Sequence, residues 1–101
     1  MVKEKEELCQ KSLNALLENE FPAANYAIGH YQEDAICLQK STGAGWEVYT
    51  GYHNQHKNSV QYPNIVEACL GTLSRLCVGD ERTLYALKDA FLGMIVADRI
   101  A

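Results

Sequence analysis

An α+β fold is expected for this 101-residue chain, and three observations predict it. Apolar and polar side chains alternate through DAICLQK (34–40) and GWEVYTGYH (45–53), the pattern of strands with one face buried. Apolar residues then recur at helical spacing in IVEACLGTLSRL, directly after an Asn-x-x-Glu sequence that resembles a capping box. Glycine, proline and short polar clusters separate the segments at intervals typical of one domain. The expected order is an N-terminal helix, an antiparallel meander of three to four strands, and two C-terminal helices packed on one face of that sheet.

Residues 2–20 read as a helix, with Cys9, Leu13, Leu16 and Leu17 forming its apolar stripe. Phe21-Pro22 ends it, because a residue before proline is pushed out of the α region. NYAIGHY (25–31) is a short strand, and Gln32, Glu33 and Asp34 turn the chain into the next. STGAG (41–45) makes a hairpin loop whose glycines accept positive φ. In the following strand Trp46, Val48 and Thr50 share one face, and Glu47, Tyr49 and Gly51 the other. The bulkier pair, Trp46 and Val48, is expected to face the core, with Glu47 and Tyr49 on the open face or at an edge. Residues 53–59 read as a polar loop and Val60–Tyr62 as a last short strand. Asn64 and Glu67 start a helix stripe of Ile65, Cys69, Leu70, Leu73, Leu76 and Cys77. Gly79-Asp80 breaks it and caps a final helix to about Arg99, striped by Leu84, Leu87, Phe91, Met94 and Ile95.

Thirteen acidic residues against nine basic give a net charge of −4. Nucleic acid and anionic membranes are therefore poor partners, since both need a basic patch. Charges run through the first thirteen residues, where a signal peptide requires an apolar stretch, so the expected compartment is the cytoplasm. The four cysteines fall on apolar faces rather than in paired motifs, and are expected to be free and buried.

No catalytic, cofactor-binding or metal-binding set emerges. His53 and His56 lack the third and fourth ligands that zinc requires. The cysteines sit among leucine and isoleucine, where burial raises a thiol's pKa, the wrong direction for a nucleophile. Glu33 and Asp34 are adjacent turn residues whose side chains diverge, and STGAG lacks the lysine of a phosphate loop. Tyrosine is more informative. Tyr49 and Tyr52 are candidate contact residues, because tyrosine offers large area at low rotamer cost.

Trp46-Glu47-Val48-Tyr49, then Tyr62, Asn64, Glu67-Ala68-Cys69 and the leucines to Leu76, together with the Glu33–Cys37 strand, resemble small cytosolic immunity proteins of bacterial polymorphic toxin systems. The resemblance covers about residues 26–77. It implies a non-catalytic protein that binds a cognate toxin domain and blocks it. The expected docking surface is the sheet region opposite the helices, with Glu33, Asp34, Glu47, Tyr49 and Tyr52. If that toxin is a nuclease, its basic active site would meet these carboxylates. The alternative is a small homo-oligomeric ligand-binding or adaptor domain, because Leu92, Ile95, Val96 and Ile100 spread around the last helix beyond what one core hides. Monomer and homodimer both remain open from the sequence.

Overall fold

The computed structural model describes residues 2–43 and 45–100, with side chains from residue 4 to 96. It is an α+β domain of three long helices and a four-stranded mixed sheet. Helix α1 (Val2–Glu20) leads through a single 3-10 turn (Ala23–Asn25) into β1 (Tyr26–Ile28). β2 (Ile36–Lys40), β3 (Trp46–Tyr52) and β4 (Gln55–Tyr62) follow, and then α2 (Ile65–Leu76) and α3 (Glu81–Ile100).

Strands lie side by side in chain order, with β1 and β4 at the edges. β2–β3 and β3–β4 are antiparallel as expected, but β1 runs parallel to β2, pairing Tyr26 with Ile36 and Ile28 with Leu38. Alternation reveals which side chains share a face and says nothing of strand direction. A parallel pair ordinarily needs a long crossover. Here β1 spans only three residues, about 10 Å, so the seven-residue link 29–35 suffices to return the chain. Gly29 and Asp34, both at positive φ, bend it at either end.

The segment expected as a loop, 53–59, is mostly strand. His53 and Asn54, both at positive φ, form a two-residue hairpin turn, and pairing resumes at Gln55. A bulge then sets two β4 residues against Tyr49, with Asn58 at φ +54. That extra residue breaks the period of two, and every β4 residue before Tyr62 is exposed. An open edge that is polar except for Val60, kinked and carrying Lys57, has the composition that keeps edges from pairing indiscriminately.

The main core lies between the sheet and the helices. Cys9, Leu13 and Leu17 of α1 and Ile65, Ala68, Cys69 and Leu73 of α2 close over Tyr26, Leu38, Trp46 and Val48. Trp46 is buried, as its face of β3 requires. Helix α3 departs from the expected arrangement. It packs chiefly on α1 and α2, forming an outer layer rather than covering the sheet. Among the described residues Leu87, Phe91 and Ile95 are its buried ones, while Met94 lies at the margin of that stripe and is exposed. Ile100's side chain lies outside the described residues.

Both C-terminal helices are capped by their own sequences. Asn64 Oδ1 accepts from the Glu67 amide at 2.9 Å, and the Asn64 side-chain amide donates to the Glu67 carboxylate at 2.9 Å. Asp80 accepts from the Thr83 amide and hydroxyl, which holds its carboxyl below the ordinary value. Arg75 ties α2 to the sheet, donating to the Val48 carbonyl at 2.8 Å and to Thr50 Oγ1 at 3.3 Å. All four cysteines are free and buried. Burial pushes the Cys9, Cys69 and Cys77 thiols up.

Candidate functional site

The sheet face away from the helices carries a second, smaller core. Register dictates its composition. Ala27, Cys37 and Tyr49 occupy one row across β1, β2 and β3, so two small side chains lie beside one large ring. The 29–35 link folds back over this row and sets Tyr31 against it. It is pinned from beneath by Cys37, whose thiol lies 3.4 Å from both the backbone amide and the carbonyl of Gln32. Close approach requires a residue without a side chain on β3. Gly51 provides it: a Cβ there would collide with the Gln32 carbonyl oxygen and lie 3.1 Å from Tyr31 Cε2. Flanking backbone bonds, Asp34 N to Gly51 O at 2.8 Å and Gly51 N to Ala35 O at 3.0 Å, fix the link there.

Glu33, on that link, reaches the β3–β4 hairpin. Its Oε2 accepts the His53 amide at 2.8 Å, and the Tyr31 hydroxyl donates to its Oε1 while accepting the Asn54 amide at 2.8 Å. These bonds, Tyr31's foremost, hold the Glu33 carboxyl below its ordinary value. Desolvation, with the neighbouring Glu33 carboxylate, raises the Tyr31 hydroxyl. Glu33 is therefore both an exposed anion and the clasp of the hairpin turn.

Pairing with Gly51 brings His56 to the same face, where its ring lies on Tyr49 with centroids 3.7 Å apart and planes 4° from parallel. Tyr31 flanks both rings at 6.2–6.3 Å. His56 Nδ1 lies 2.9 Å from Glu47 Oε2, so it must carry the proton to satisfy that carboxylate. Ser59 donates to the same oxygen at 2.6 Å. Glu47 Oε1 takes no hydrogen bond among the described residues, and Glu47 is one of the residues lining an open depression with Ser41, Thr42, Gln61, Tyr62 and Pro63.

The five expected contact residues thus separate. Glu33 and Glu47 stand together on one ordered patch. Asp34 is exposed on the adjoining link. Tyr49 is on the expected face but fully buried beneath Tyr31 and His56, its hydroxyl donating to Gln39 Oε1. It supports the patch without offering surface. Burial drives its hydroxyl pKa well up. Tyr52 is exposed, yet counting by twos from Trp46 puts it on the helix side, where its ring meets His53 edge-on at 4.0 Å. His56, expected as a solvated loop residue, and Tyr31 are the additions. Their cue was His53-Asn54 as a two-residue turn, which would have placed His56 opposite Gly51. That cue is weak, because Asn-Gly, not His-Asn, is the usual hairpin pair.

Among the described residues no three histidine, cysteine or acidic side chains are grouped to hold a metal ion. No helix of the described residues is long and apolar enough to cross a membrane. Comparison with protein families, curated proteins and solved structures returned no match.

Proposed function

We propose that this chain is a binding protein of the immunity type, which docks its helix-free sheet face onto a toxin domain and neutralises it. The observation that carries this reading is the pre-ordered Glu33–Tyr31–His56–Glu47 patch. Its carboxylates are already oriented by hydrogen bonds to the hairpin, His56 and Ser59. A partner's lysine or arginine would therefore meet fixed acceptors, and little side-chain freedom would be lost on binding. The polar groups pair with one another instead of converging on an enclosed cavity, which suits recognition better than catalysis. The acidic balance favours a basic partner and fast, salt-sensitive association. The sequence resemblance over residues 26–77 supplies the class of partner, a polymorphic toxin domain met in the cytoplasm.

Co-expression and co-purification with a toxin domain, if a neighbouring gene encodes one, test the proposal. A complex at micromolar or tighter affinity, weakened at least tenfold by Glu47→Gln, is expected. No complex, and no protection of cells expressing the toxin, would refute it.

A further inference from the structure

The outward face of α3 has an unusual composition for a surface helix. Tyr85, Leu92 and Val96 are 65%, 40% and 52% exposed, and Val78, just before the helix, is 82% exposed. At 3.6 residues per turn the three helical residues fall within about 40° of one another. Beside them lie exposed Ala86, Ala90 and Gly93. Gly93 is the informative one. Glycine inside a helix is disfavoured relative to alanine, and close approach of another group is the usual return. A Cβ at Gly93 would find nothing within 4 Å. Among the described residues nothing uses the space.

Two charges on this face identify the occupant. Arg82 and Asp89 are seven residues apart, about 10 Å along the helix and within about 20° around it. Neither side chain makes a hydrogen bond or ion pair among the described residues. We infer that α3 pairs with α3 of a second copy of this chain, antiparallel about a two-fold axis near Tyr85–Ala86. That axis sets each Arg82 against the other copy's Asp89, two equivalent ion pairs from one self-complementary surface. In this register the two helices overlap over residues 81–90, with the small Ala86 side chains where they cross, and the partner copy's turn before α3, which carries Val78, lies at the level of Leu92 and Gly93. Tyr85 then closes against its symmetry mate. This interface is separate from the sheet-face patch, so one copy can use both.

Sedimentation equilibrium of the full chain, with the single variants Arg82→Asp and Asp89→Arg and the double exchange, tests the inference. Wild type should sediment at twice the 11.3 kDa chain mass at tens of micromolar. Each single variant should raise the dissociation constant at least tenfold, and the double exchange should recover most of that loss. Circular dichroism checks that the variants keep the fold, which surface changes at exposed positions should leave intact. A wild-type monomer at 200 micromolar, or a dimer indifferent to both single variants, overturns it. So does a monomer whose toxin binding falls on Asp89→Arg, which would assign the face to that partner instead.

Discussion

Replacing Gly51 by alanine should unfold the patch and much of the stability with it. A Cβ at this position meets the Gln32 carbonyl oxygen, a backbone atom that cannot rotate aside, with the carbonyl carbon and Tyr31 Cε2 both at 3.1 Å. Relief requires the 29–35 link to move outward by about 1 Å, since ordinary contacts begin near 3.5 Å. Overpacking of this kind costs about 1–3 kcal/mol. The same movement weakens the two backbone bonds at 2.8 and 3.0 Å that clamp the link to Gly51, at about 1 kcal/mol each. A loss of about 3–5 kcal/mol follows. With a urea m-value of about 2 kcal/mol/M, the midpoint should fall by about 1.5–2.5 M. Gly93→Ala is the counterpart, because its Cβ enters open space on a helix. It should raise monomer stability by about 0.5–1 kcal/mol. Urea titrations of the three proteins at low concentration, followed by Trp46 fluorescence, give the values. A Gly51→Ala midpoint within 0.2 M of wild type would refute the account of how the link is seated, and with it the origin of the patch.

Glu33 should make part of the stability pH-dependent. A carboxyl held below its unfolded value of about 4.3 contributes stability above that pH, lost as pH falls through the lower folded value. Wild type should therefore lose more between pH 5 and 3 than Glu33→Gln does; equal losses in urea midpoint would contradict the clasp. Asn64→Ala removes the α2 cap and should cost about 1 kcal/mol in equilibrium unfolding; no change would mean the cap is not formed. Phe91→Ala opens the contact of α3 with α1 and α2 and should cost about 3–5 kcal/mol, whereas a value below 1 would place α3 outside the core. The four thiols should resist iodoacetamide in native buffer and react fully in denaturant, as mass spectrometry would read; rapid native labelling would contradict their burial.

Sequence by itself determined the elements whose signals are local. Helix periods, the Asn64 and Asp80 caps, the Phe21-Pro22 stop and the burial of Trp46 and Val48 depend on residues a turn or a pleat apart. Period two also separated Glu47 and Tyr49 from the core face correctly. Only tertiary structure decided the direction of β1, because alternation is the same for either direction of pairing. The bulge at Asn58 hid most of β4, since one extra residue erases the period that reveals a strand. Tyr49's burial was likewise out of reach. Its cover is Tyr31 and His56, one from a link that returns over the sheet and one from across a hairpin. Which side chains meet on the open face therefore depends on strand direction, register and one glycine's missing Cβ, none of which neighbouring residues encode.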